Sequence, residues 1–283
     1  MIVRCYGARG SVPVAGKQFD KYGGNTTCMQ VVGSRDSNIV VIDAGSGIRP
    51  LGEEVNKKKI DTIHLFFTHY HLDHVIGFPF FKPLFNKKVK IRIYGPRFLG
   101  KSLRHILDNF FIPPHFPINP YDICAGENLE YINIDENEEM IIDDLRIDSI
   151  RLNHPNGGLG YKITQNNKNF VFLTDNELDH KHFNDFDYNK YVNFSKNADL
   201  LIHDSEYSED EYKFTKGWGH TTFKSAFKLA RLCKVKRFGL FHHNQNRSDK
   251  ALDEIVTELV REARTQGLDM DCFAPSQNFE IEL

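Results

Sequence analysis

Cysteine is scarce and dispersed in this chain. Cys5, Cys28, Cys124, Cys233 and Cys272 are its five cysteines, and no two form a C-x-x-C pair. An odd, scattered set excludes a disulfide framework and reads as reduced thiols in a cytoplasmic protein. Cys5 and Cys28 fall in two apolar stretches and read as small core residues. No apolar run approaches the length of a membrane span, so no membrane contact is expected. The start, Met1-Ile2-Val3-Arg4-Cys5-Tyr6-Gly7, lacks the basic, apolar and small-residue succession of a secretory leader. An excess of one charge is also missing. Lys and Arg number 36 against 38 Asp and Glu, a formal net charge of −2. No global basic field draws such a chain to nucleic acid, and no stable nucleic-acid complex is expected. Repeats, low-complexity linkers and domain boundaries are absent too, so residues 1–283 read as one domain.

What the chain has is histidine and aspartate at strand ends. The densest case is Thr68-His69-Tyr70-His71-Leu72-Asp73-His74, directly after the apolar run 63–67. A buried strand ending in this way delivers imidazole and carboxylate to the rim of a sheet. Those donors suit zinc, manganese or iron better than calcium. The spacing of His69, His71, Asp73 and His74 suggests one site divided between two ions.

The same ending recurs along the chain. The strand at 38–43 ends in Asp43 before glycines, and Asp43 is expected to accept from a ligand histidine. The strand at 145–152 runs into His154, the one at 169–175 ends in Asp175, and the one at 198–204 ends in His203 and Asp204. The strand at 237–243 ends in His242 and His243. A carboxylate with two oxygens, such as Asp175, can bridge two metals. Six strand ends of one kind, in a chain alternating strands and helices, imply a single site along one rim of a sheet sandwich.

Between these strands the spacing predicts helices over 48–55, from 72 to near Pro79, over 97–111, near 186–196, after Thr221 or Thr222, and from Ser248 to Gly267. Segments 271–273 and 279–283 are expected to close the sheet edge. The stretch Gly7-Ala8-Arg9-Gly10-Ser11-Val12-Pro13 offers close backbone approach and, in Arg9, a cation for a phosphate. Ser11, Asn25 and Thr26 are further candidates for phosphate or sugar contacts. The run 111–120 holds four prolines among aromatics, and a segment of about 97–126 reads as a lid or an oligomer contact. Phe111 and His115 within it are candidates to stack on a base or cover the pocket.

The ligand pattern resembles the metallo-β-lactamase fold superfamily, a four-layer αββα sandwich, and in particular its phosphodiesterase and tRNA-processing branch. That resemblance covers most of the chain. It implies that His69, His71 and His154 hold one divalent ion, that Asp73, His74 and His242 hold the other, and that Asp175 bridges them. His243 stays open as an alternative to His242. Zinc is the implied metal, with manganese as substitute. Further stretches, Tyr-Gly-Gly-Asn-Thr-Thr-Cys at 22–28, Asp-Ala-Gly-Ser-Gly-Ile-Arg at 43–49, His-Asp-Ser-Glu-Tyr at 203–207 and Gly-Trp-Gly-His-Thr-Thr at 217–222, look like the anti-Pycsar subgroup. That likeness implies a homodimeric hydrolase of 3′,5′-cyclic nucleotides, with a small nucleotide as its partner and a hydroxide shared by the metals as nucleophile. The catalytic group is then Asp73 with His220, the acid for the leaving alkoxide, and Asp204, which orients His220. The alternatives are an endoribonuclease of the tRNA-processing type and an acyl hydrolase. No long tRNA-gripping arm is evident, and with the acidic charge balance this weighs against tRNA.

Overall fold

The computed structural model describes residues 1–114, 116–117 and 128–283. Apolar runs become strands of three to seven residues, and these assemble into two sheets. Among the described residues the first sheet contains β1 (Ile2–Gly7), β2 (Cys28–Val32), β3 (Asn38–Ile42), β4 (Thr62–Phe66), β5 (Lys90–Gly95) and β6 (Leu129–Asn133). The second contains β7 (Glu139–Ile142), β8 (Leu145–Arg151), β9 (Leu159–Gln165), β10 (Lys168–Leu173), β11 (Leu200–Asp204), β12 (Arg237–Phe241) and β13 (Asp271–Phe273). The last strand, β14 (Glu280–Glu282), returns to the first sheet beside β1. The two C-terminal segments therefore edge different sheets, where one shared edge was expected.

Strands β3 to β6 run parallel, as do β10 to β13. Parallel strands bring their C-terminal ends to one rim, where ligands of open α/β sheets collect. The inner faces pack on each other through Val3, Val40, Phe66, Tyr161, Phe172 and Phe241. The outer face of the first sheet is covered by α1 (Ile48–Val55), α2 (Leu72–Val75) and α3 (Leu103–Phe110). The outer face of the second is covered by α4 (Tyr188–Ser195), α6 (Phe223–Leu232) and α7 (Asp249–Thr265). The expected αββα sandwich is the observed fold. Cys5 and Cys28 lie on neighbouring strands but face opposite layers, and both thiols are free.

One local reading is corrected, and one helix is new. The helix expected over 97–111 begins only at Leu103, because Leu99 and Gly100 turn through positive φ and Ser102 then caps it by accepting from the His105 amide. A helix unforeseen in the sequence, α5 (Glu209–Thr215), buries none of its residues, so it carries no apolar period. Its signature is the capping box Ser208-x-x-Glu211. No helix among the described residues is long and apolar enough to cross a membrane.

Candidate metal centre

The first sheet delivers its donors where β4 gives way to α2. Asp43, held at positive φ just after β3, accepts from the Thr68 amide at 2.8 Å and from the Thr68 hydroxyl at 2.7 Å. Its second oxygen also meets His74 Nδ1 at 2.8 Å. That contact turns His74 Nε2 inward, 3.3 Å from Asp73 and 3.2 Å from Asp175. The second sheet supplies His154, Asp175 and His242 from the ends of β8, β10 and β12. His154 Nδ1 faces the Gly219 carbonyl at 3.0 Å, leaving Nε2 3.2 Å from His71. His242 Nδ1 faces Glu206 at 2.9 Å, which points Nε2 at Asp73 3.1 Å away. One group of converging donors is His69, His71, His154 and Asp175, and another is Asp73, His74 and His242.

Whether these residues fit metal ions is decided by their chemistry. The Nε2 atoms of His69 and His74 are buried without a hydrogen-bond partner. Leaving a buried polar atom unsatisfied costs about 1–3 kcal/mol, and bound cations would satisfy both. Burial, reinforced by neighbouring imidazoles, keeps His69 and His71 neutral, and burial holds His154 down at about 3. Neutral imidazoles have free lone pairs. Burial opposes ionisation of Asp73 and Asp175, but the surrounding imidazoles outweigh it and hold both carboxyls well below the usual range. His74 and His242 rise despite burial because carboxylates surround them. The donor set fits a dinuclear divalent-metal site.

Beside this cluster lies His220, just ahead of α6. Its Nδ1 sits 2.7 Å from Asp204, 3.5 Å from Glu206 and 3.9 Å from Asp175, and its ring stacks on His242 at 4.5 Å. Burial works against a charged ring, yet Asp204 and Glu206 lift it to about 9. The cap of α6 is Thr222, which accepts from the Ser225 amide, while the Thr221 hydroxyl donates to the Asn176 carbonyl.

Glu206 was missed from the sequence as a working residue. It is buried, faces His242 with one oxygen and accepts from Asn244 with the other at 2.8 Å. The signal available was its place in the His-Asp-Ser-Glu-Tyr run at 203–207.

Several expected substrate contacts are corrected. Arg9 is fully buried, and its guanidinium donates to the backbone carbonyls of Gly23, Asn244 and Arg247. A guanidinium spent on the backbone is unavailable to a phosphate; it ties the loops of the two sheets together. The glycines around it serve the site differently, since a Cβ on Gly10 would lie 2.2 Å from the His242 ring. Thr26 is also buried, its hydroxyl accepting from the Ser46 amide, and Asn25 accepts from the Ser46 hydroxyl. Both brace a turn. Phe111 packs on Phe78, Phe110 and Phe116 in the layer outside the first sheet. Ser11 does reach the site, through its amide, which donates to Asp73 at 2.9 Å. His115 lies outside the described residues. His242 turns into the cluster at positive φ, whereas His243 faces the Pro275 carbonyl and the edge of Tyr22.

A cleft of about 690 Å³ opens beside His69 and His71. Arg97, Arg151, Phe98, Phe110 and Phe183 line it, with the Arg151 guanidinium 3.6 Å over the Phe183 ring.

The family described as "Beta-lactamase superfamily domain" matches residues 38–243. The ribonuclease Z of Prochlorococcus marinus subsp. pastoris is 26% identical, over 85% of this chain and 89% of that protein. The ribonuclease Z of Pyrococcus furiosus is 23% identical, over 80% and 84%. Among solved structures, the metallo-beta-lactamase fold protein YhfI of Bacillus subtilis superposes with a TM-score of 0.69 at 19% identity, over 99% of each chain. The short form of human tRNase Z superposes at 0.66 and 18%, over 100% of this chain and 99% of that one. The structures speak for the fold alone. The curated relatives correct one expectation: they are ribonucleases, matched over most of both chains, so a small-nucleotide partner without a nucleic-acid complex no longer stands. The homodimer implied by the same resemblance is not shown by these comparisons.

Proposed function

This chain belongs to the beta-lactamase superfamily, and on that premise we propose that it is a dinuclear-metal phosphodiesterase of RNA, an endoribonuclease of the tRNA-processing type. The observation that carries this reading is the His220–Asp204 pair, 2.7 Å apart beside the donor cluster. Hydrolysis of a phosphodiester expels an alkoxide, which needs a proton. Acyl hydrolysis also expels a group that needs a proton, so the pair speaks for an acid at the leaving group, and the ribonuclease relatives are what favour a phosphodiester. The names of the ribonuclease relatives support RNA as the substrate.

In this reading His69, His71, His154 and Asp175 would hold one ion, and Asp73, His74 and His242, with Asp175 beside them, would hold the other. Zinc suits these donors best, with manganese as substitute. Bound there, two divalent cations supply charge for the phosphate oxygens and acidify water towards neutral pH. The chain itself does the rest. Asp43 and Glu206 fix the rings of His74 and His242 through their Nδ1 atoms. Asp204 holds Nδ1 of His220, so Nε2 is the nitrogen that passes a proton to the leaving oxygen. Single-stranded RNA is recognised by stacking and by cations along its backbone, and the cleft offers Phe98, Phe110, Arg97 and Arg151 for both. The buried, free thiols support a reducing, cytoplasmic setting.

The test is to incubate metal-loaded protein with a precursor tRNA, an unstructured RNA and 3′,5′-cyclic nucleotides in parallel. Cutting of the RNA with the rings intact is expected. Ring opening with both RNAs left whole would overturn the reading.

A further inference from the structure

Glu177 is a buried carboxylate that the chemistry above does not use. It lies two residues beyond Asp175 and has no measurable exposure. Among the described residues no lysine or arginine forms an ion pair with it. Instead one oxygen accepts from the Tyr212 hydroxyl at 2.6 Å and the Gly217 amide at 2.7 Å. The other accepts from the Gly219 amide at 2.8 Å and faces His182 Nε2 at 2.7 Å. Burying an ionised carboxylate is expensive unless donors surround it, and here four do.

Two of the four belong to one short loop, Gly217-Trp218-Gly219. Both glycines sit at positive φ, where a chain with no side chain to pack has wide freedom. Glu177 grips this loop at both ends. What the loop carries explains the grip. The Gly219 carbonyl orients His154, and a Cβ on Gly219 would fall 2.0 Å from the His154 ring. The next residue is His220. Between the two gripped amides, Trp218 stands 63% exposed.

We propose that Glu177 is the positioning residue that sets His154 and His220 in one fixed relation through the Gly217–Gly219 loop. The role of His220 in this inference rests on the phosphodiesterase reading; the hold on His154 and on Trp218 does not. Misplacing a reacting group by about 1 Å can cost 10²-fold in rate, so a loosened loop lowers turnover even with the metals in place.

Trp218 is the only tryptophan in the chain, so its emission anisotropy reports the loop without a label. Glu177→Gln keeps the size of the side chain but turns an NH2 towards one of the gripped amides. The expected result is a fall in Trp218 anisotropy, together with a kcat on bis(p-nitrophenyl) phosphate about 10-fold lower or more at saturating zinc and KM within about twofold. Zinc affinity, read by competition with a chelating dye, falls by about 10-fold. Tyr212→Phe removes one donor and is expected to give a smaller change of the same sign; it carries the test if Glu177→Gln does not fold. Unchanged anisotropy in the variants, or changed anisotropy with kcat intact, would overturn the proposal. If the wild-type protein cuts no diester at all, the phosphodiesterase reading fails by itself, and anisotropy with zinc affinity still decides the grip on His154.

Discussion

At the scale of single residues, the site is a set of side chains each fixed by a partner behind it. His220 is the one on which the proposed reaction type rests. His220→Ala is expected to lower turnover by about 10²–10⁴-fold, with metal content, measured by atomic absorption, unchanged. Equal turnover would remove His220 from the chemistry. Glu206 acts on the metal side, because its carboxylate faces His242 Nδ1. Glu206→Gln should weaken binding of the second ion by about 10–100-fold, read by zinc titration against a competing dye. The converging donors were legible in the sequence because histidine and aspartate at strand ends have few other reasons to recur. Arg9 and Thr26 were misread because both sit in a glycine-rich, polar loop. Local sequence could not show that each side chain would be taken up by backbone 14 to 238 residues away, or by Ser46.

At the scale of elements, β4 is the support of the opening ligand segment. Its Phe66 ring stacks on Tyr94 at 4.3 Å and meets Tyr161 edge-on at 5.3 Å, between the sheets. Phe66→Ala should cost about 3–5 kcal/mol of stability, measured as a lower denaturation midpoint. A loss below about 1 kcal/mol would mean that the inner layer closes over the gap. Strands with continuous apolar runs were legible because burial on both faces leaves no alternation to disguise them. Helix α5 was not, because it rests on its caps and packs no apolar face. The late start of α3 was hidden too, since nothing apolar marks the turn at Leu99 and Gly100.

At the scale of the whole molecule, two properties follow from where charge is buried. His64 and His203 are both held at about 4, each chiefly by burial, so both are neutral in the fold. An unfolded chain takes up those protons near 6.5. Between about pH 6.5 and 4 the unfolded state therefore binds more protons, and stability falls as pH falls. Urea midpoints of the metal-loaded protein should drop from pH 7 to pH 5, and His64→Gln should drop less. Parallel curves for the two proteins would show that His64 contributes nothing. The second property is net charge. A value of −2 argued against nucleic acid, yet it sums every face of the molecule. On the proposed reading the substrate meets the donor cluster and its cleft, where Arg97 and Arg151 stand with Asp135 and Glu136, so the sum does not describe that surface.

The sequence by itself determined the layered α/β fold and the identity of the donors, because apolar strand runs and metal-binding side chains at their ends are local patterns. Even so, the sequence left open which atoms of the stretch Thr68 to His74 turn towards the site. Only the tertiary structure decided which atoms face inward: Asp43 turns His74, Glu206 turns His242, and Gly219 orients His154. It also decided between His242 and His243, since one positive φ at the end of β12 sends the first into the cluster and the second behind it. Those choices are made by partners distant in the chain, and no local pattern encodes a contact that exists only after two sheets have packed together.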